Sequence, residues 1–178
     1  MPSPVFHTLS GCAFDGSNSF DQPILHFIWI MWCVNAPDID LLCGLLFGDS
    51  IFAYHRLYSH SLIGCGLVFL FLKWVGGKNV FIQREINFAA GLVLLHLIAD
   101  MFTGPHYGLY PSYGLRLFYP FASVKFSLPL TLFTPVHCVK KHPIPPWHII
   151  MSYLLEFIGG IILLKIISPR KCFGFKMP

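Results

Sequence analysis

Between Asn35 and Ser61 the chain reads NAPDIDLLCGLLFGDSIFAYHRLYSHS, which sets two carboxylates, Asp38 and Asp40, and two imidazoles, His55 and His60, into an apolar sequence. Only 11% of the residues are charged and 55% are hydrophobic, so the fold must supply these groups with water, with each other or with a cation. A bound metal ion serves all of them at once. The stretch constrains the fold because the surrounding helices must converge where these side chains meet.

A mean hydropathy of +0.65 and 16% aromatic residues set the 178-residue chain apart from ordinary soluble globules. The expectation is one all-α domain over residues 1–178, a multi-pass membrane helical bundle with about four membrane-embedded helices. Twelve Lys and Arg against eight Asp and Glu give a net charge of +4, and the basic residues cluster near the ends of apolar runs. That pattern suits anchoring at membrane lipids and argues against direct nucleic-acid binding. The six cysteines form no CxxC pair, and Cys33, Cys43 and Cys65 sit in or beside apolar stretches, so they read as packing residues. No basic segment precedes an apolar core at the N-terminus, so insertion is expected to depend on internal segments.

His7 to Gly11 reads as a short helix, and Gly16 to Asp21 as a loop. Pro23 to Val34 has about two-thirds of the roughly 20 residues a span needs and reads as a half-span or tilted helix under the site. Leu41 to Tyr54 reads as a re-entrant or core helix. Leu62 to Val75 is a membrane helix, extended backwards by HRLYSHS and broken by Gly76, Gly77, Lys78 and Asn79. A second membrane helix runs from Ile86 to Asp100. Residues 104–125 carry aromatics suited to the membrane-water boundary, while Pro129 and Pro135 disfavour helix in Phe126 to Val139. Trp147 to Ile167 is long enough to span, and Arg170, Lys171 and Lys176 follow as a basic tail.

The short break between the two central helices makes them antiparallel neighbours, which brings HRLYSHS and HLIAD to one membrane face. His96 and Asp100, spaced i and i+4, share a helix face and can ligate one cation or two adjacent ones. Pro37 disfavours helix ahead of Asp38 and Asp40, so a turn can aim both carboxylates the same way. His55 and His60 would diverge on a continuous helix and converge only if the helix starts near Ser59. Each residue alone has an ordinary reading: His26 or His96 as a core group, Asp38 or Asp40 as a cap, Ser59 or Ser61 as an N-cap, Arg56 as a snorkelling cation. Several such groups at one membrane depth favour a metal site, because intramembrane ionisable residues are costly. Mixed His and carboxylate ligands suit zinc, manganese or iron better than magnesium or calcium. HRLYSH has some likeness to desaturase boxes, but the HxxHH pattern of those di-iron enzymes is absent.

In chain order, His7 to Gly11 gives HxxxG, Pro37 to Asp40 gives PDxD, His55 to Ser61 gives HRxxxHS, His96 to Thr103 gives HxxxDxxT, and YGLRLFYPF ends at Pro120 and Phe121. This ordered set, within residues 5–121, resembles the YdjM-like family of LexA-binding, inner-membrane-associated, metal-dependent hydrolases. Leu57 stands where that family has Gly and Ser59 where it has Thr, and neither change removes a candidate ligand. An insertion, GPHYGLYPS, brings His106, which has no assigned role. The C-terminal third matches no motif, and its His137, His142 and His148 read as interface residues. The order His, Asp, His, HxxxD is also similar to that of zinc-dependent phospholipases C and related nucleases, which implies a helical core like theirs and a phosphoester substrate. Their last ligand set, a His followed by HxxxE, is not evident here.

Residues and resemblance together imply a multi-pass inner-membrane hydrolase acting on a lipid or small-molecule phosphoester through a metal-activated water. The expected ligands are His7, Asp38, Asp40, His55, His60, His96 and Asp100, holding about one or two divalent transition-metal ions, zinc first, with manganese or iron as alternatives. The expected catalytic residues are His55, as ligand or general acid/base, Arg56, holding an anionic group, and Asp100, bridging two cations. The alternative is a non-catalytic metal-binding membrane protein that docks a regulatory protein partner. A transporter with an ionisable relay is disfavoured by the lack of an inverted repeat. Lys73, Lys78 and Arg84 favour a cytoplasmic loop between the central helices and hence a site on the outer face.

Overall fold

A computed structural model describes residues 3–14, 23–47, 55–104, 106–133 and 146–167. The expected loop at Gly16 to Asp21, the end of the Leu41 to Tyr54 segment, Pro135 to Val139, the basic tail, His137 and His142 lie outside these residues.

The elements follow in the order α1 (Pro4–Phe14), α2 (Pro23–Val34), a 3-10 turn (Ala36–Ile39), α3 (Asp40–Phe47), α4 (Leu62–Gly76), α5 (Val80–Met101) and α6 (Pro146–Ile167). No strand forms among the described residues. Local chemistry sets most of the boundaries. α2 begins on a proline, whose missing N–H is no loss in a first turn. It ends where Asn35 turns its side chain back to donate to the Met31 carbonyl at 2.8 Å, just ahead of Pro37. α5 begins six residues earlier than expected, because Asn79 caps it by accepting from the Ile82 N–H at 3.1 Å. The Gln83 side chain then donates to the carbonyls of Lys73 at 3.0 Å and Gly77 at 2.8 Å, closing the α4–α5 hairpin.

HRLYSHS does not extend α4 backwards. Ser61 is in an extended conformation and its hydroxyl accepts from the Gly64 N–H at 2.9 Å, so the helix starts at Leu62. Ahead of that cap the chain turns through residues 55–61, with Arg56 at a φ of 64°. This break frees His55 and His60 from the divergence that a continuous helix would impose.

The core lies where α1, α2 and α5 meet, with Cys12, Ile30, Cys33, Val34 and Leu92 buried together. α6 packs along α1. A β-carbon on Gly160 would stand 2.9 Å from Leu9 Cβ, so that close approach favours glycine. Past α5 the chain forms a lobe joined by isolated bridges, Thr103 with Phe133, Gly108 with Thr131 and Leu115 with Phe126.

Among the described residues two helices are long and apolar enough to cross a membrane, over Ile82–Met101 and Ile150–Ile167, not the roughly four expected. α2 has 12 residues and α4 has 15. At 1.5 Å per residue they reach about 18 and 23 Å, short of a hydrocarbon layer of about 30 Å. Their terminators, Pro37 for α2, Ser61 and Gly77 for α4, are what shorten them.

Candidate metal centre

Four segments meet at the C-terminal end of α5. His96 and Asp100 occupy its last two turns, α1 brings His7, the 3-10 turn brings Asp38 with Asp40 just behind it, and the turn before α4 brings His55, Arg56 and His60. His7, His60, His96 and Asp100 are fully buried. All seven expected ligands therefore fall in one cluster, together with Arg56.

His60 sits at its centre. Its Nε2 lies 3.3 Å from His96 Nε2, 3.4 Å from Asp38 Oδ1 and 3.4 Å from Asp100 Oδ2. His96 Nε2 is in turn 3.5 Å from Asp38 Oδ1 and 3.9 Å from Asp100 Oδ2. The opposite nitrogen, Nδ1, is 3.0 Å from the Ser59 hydroxyl, which donates to Asp40 Oδ2. If Nδ1 carries the proton and donates to Ser59, the lone pair is left on Nε2, facing the two carboxylates. His7 stacks on His96 with ring centroids 3.8 Å apart and places Nε2 3.7 Å from Asp100 Oδ1.

Asp38 and Asp40, two residues apart, have different roles. Asp40 is saturated with donors: His55 Nδ1 at 2.9 Å on one oxygen, the Arg56 N–H at 3.1 Å and Ser59 on the other. The oxygens of Asp38 and Asp100 are buried with no hydrogen-bond donor among the described residues. The imidazoles beside them are near enough to attract but are not aligned as hydrogen bonds. Arg56 reaches Asp100 only at 3.6 Å, likewise without a hydrogen bond.

Burial by itself would raise the carboxyls, but His60 and His96 hold Asp38, and His55, His60 and Ser59 hold Asp40, well below the usual carboxylate range. Burial would likewise lower His60, yet Asp38 and Asp40 with Asp100 behind them push it up to about 9, so a cation would take the Nε2 lone pair by displacing a proton. Burial and the neighbouring His96 push His7 down to about 4, so its ring is neutral near pH 7 and offers a lone pair.

Buried carboxylates without donors, facing imidazole nitrogens, are the donor set a divalent cation takes. Bonds of about 2.1 Å to a tetrahedral ion put neighbouring ligand atoms about 3.4 Å apart, which matches the separations around His60 Nε2. Among the described residues, three groups of side chains could hold an ion: His7, His96 and Asp100; Asp38, His60 and His96; and Asp40, His55 and His60. The donor count on Asp40 makes the third group a support for the second: it orients His60 from behind.

A protein-family model, that of the YdjM inner membrane protein, matches residues 5–167. The chain belongs to the YdjM inner membrane protein family. The YdjM match runs well past Phe121, where the recognisable motifs stop, to the last residue of α6. No curated protein and no solved structure matches the chain, and the expected likeness to the phospholipase C helical core is left without support.

Two contributors were not legible as site residues. Ser59 links Asp40 to His60, and the family pattern has Thr there, a residue with the same hydroxyl. Glu156 is the other. It is buried on α6 and its Oε2 accepts from the Ser3 N–H at 2.7 Å, at the start of the helix that carries His7. The signal available was a lone acid within the apolar run Trp147 to Ile167.

Both give expected results. Asp40→Asn, which weakens the support behind His60 without removing a ligand, should lower metal affinity about 10- to 100-fold, read by chelator competition. Glu156→Ala leaves the Ser3 N–H buried without an acceptor, at a cost of about 1–3 kcal/mol. Metal content should then drop by the share that His7→Ala removes, while Glu156→Gln, which keeps an acceptor, should retain it. Full metal in Glu156→Ala would leave α1 anchored by packing alone.

Proposed function

We propose that this YdjM-family chain is a multi-pass membrane protein with a metal-dependent hydrolase site for phosphoesters. The observation that carries the reading is the pairing of donor-free buried carboxylates, Asp38 and Asp100, with His60 Nε2 and His96 Nε2 at ligand-sharing distances. A helix-end structural cluster would instead satisfy its carboxylates with N–H donors, as Asp40 does.

His60, His96, Asp38 and Asp100 would hold the first cation, and His7 with Asp100 Oδ1 favours a second beside it. Zinc suits this imidazole and carboxylate set first, then manganese or iron. The bound metal would supply Lewis acidity, lowering the pKa of water and polarising a phosphoryl oxygen. Arg56 would bind the phosphate, a reading supported by a side chain that is 18% exposed and by its loose 3.6 Å pairing with Asp100. His55, whose Nδ1 is engaged by Asp40, would serve as general acid/base.

The multi-pass reading rests on the outward faces of the shorter helices. Ile24 and Trp32 on α2, and Leu67, Phe71 and Trp74 on α4, are exposed beside the two helices of spanning length. A tilted or partial span with lipid on that side accounts for them.

Elemental analysis of protein purified in detergent without chelators, followed by turnover of a generic phosphodiester, tests the function. Transition metal near one or two equivalents with metal-dependent turnover is expected. Metal well below one equivalent that reconstitution cannot restore would remove the site. Full metal without turnover on any phosphoester would favour the non-catalytic, partner-docking alternative.

A further inference from the structure

The lobe over residues 102–133 is built inside out for a segment in water. Its buried positions include Thr103, Ser112 and Thr131 around one large apolar side chain, Leu115. Ser112 accepts from the Leu128 N–H at 2.9 Å and Thr131 donates to the Tyr110 carbonyl at 2.9 Å. Its outer positions are apolar, with Leu109 88% and Phe121 83% exposed and Tyr110 and Val124 also outside. Polar groups folded inward and large apolar groups turned outward are stable against a surface that is not water.

Position and charge select that surface. The lobe leaves the C-terminal end of α5, whose 22 residues span about 33 Å, so it stands at the level where that helix leaves the hydrocarbon. Between Phe102 and Phe133 the sequence contains no Asp or Glu, and its charged residues are Arg116 and Lys125. Aromatic and aliphatic side chains with only positive charge match anionic phospholipid headgroups. The lobe also borders the site. Leu62 N–H donates to the Leu117 carbonyl at 2.8 Å, and the Tyr119 ring stands 4.8 Å from that of Tyr58, two residues after Arg56.

We propose that the 102–133 lobe rests in the headgroup layer of an anionic bilayer, with Leu109 and Phe121 inserted, so that the Arg56 edge of the site opens onto lipid phosphates. The inference rests on the membrane reading above and not on its chemistry: it holds whether or not the site turns over a phosphoester.

The test uses the full chain in nanodiscs of phosphatidylcholine, with and without phosphatidylglycerol. Native cysteines are replaced, and one cysteine carrying an environment-sensitive dye is placed at Leu109, at Phe121 or, as a membrane reference, at Leu70 of α4. Lipids bearing a nitroxide near the headgroup should quench the dye at 109 and 121 severalfold more than aqueous iodide does. Phosphatidylglycerol should strengthen that quenching, and Arg116→Gln with Lys125→Gln should abolish the gain. Lipid quenching at Leu70 but iodide quenching at both 109 and 121 overturns the lobe's role and leaves the membrane reading intact. Iodide quenching at all three positions overturns both.

Discussion

Asp100→Asn should strip the protein of metal and abolish hydrolysis. The two carboxylate oxygens face different partners: Oδ1 is 3.7 Å from His7, while Oδ2 is 3.4 Å from His60 and 3.6 Å from Arg56. Asparagine keeps the shape but replaces one oxygen with a donor and removes a charge that both clusters share. Loss of an outer-layer partner already costs about 10- to 100-fold in metal affinity, so a residue whose two oxygens both point at ligand groups should exceed that. Metal content should therefore fall by more than one ion's share, read by elemental analysis and chelator competition. His106→Ala is the control, since His106 is exposed in the lobe and meets Tyr110 edge-on with ring centroids 5.4 Å apart. An Asp100→Asn protein with full metal and normal turnover would reduce Asp100 to a helix-end residue.

Gly64→Ala should damage the site through the backbone. A β-carbon at Gly64 would stand 2.0 Å from the Tyr58 carbonyl oxygen and 3.0 Å from the Ser61 hydroxyl. Those atoms form the turn that positions His60: the Ser61 hydroxyl donates to the Tyr58 carbonyl at 2.8 Å and accepts from the Gly64 N–H. Backbone cannot swing aside as a side chain can, so the turn must move, at about 1–3 kcal/mol or more. Melting temperature and metal content should fall together. Gly66, two residues along, has nothing within 4 Å of such a β-carbon. Gly66→Ala should leave metal content unchanged and gain about 0.5–1 kcal/mol from helix propensity. Equal behaviour of the two variants would show that the turn tolerates displacement.

The chain's local instructions were legible in the sequence. The apolar runs, the proline that opens α2 and the i, i+4 pairing of His96 and Asp100 depend on neighbours within a turn or two, where propensity and capping decide. The ordered His and Asp motifs likewise announced which side chains would gather, and the family match agrees with them. The limits of that reading lie in lengths and partners. About four membrane helices were expected from apolar content, whereas the caps and breakers leave two of spanning length among the described residues.

Only the tertiary structure separated Asp38 from Asp40. Both lie beside His60, yet the donors from His55, Arg56 and Ser59 all reach Asp40, and no pattern of spacing predicts which carboxylate a folded turn will satisfy. The same holds for the hydrogen bond between Ser3 and Glu156, which joins residues 153 positions apart. Sequence motifs carry the identity of the donors and acceptors, and that alone determined that a buried polar centre must exist here. Which groups are left without partners, and so remain for a cation, depends on the approach of segments distant in the chain, because a hydrogen bond is settled by geometry within about 3 Å that only packing sets.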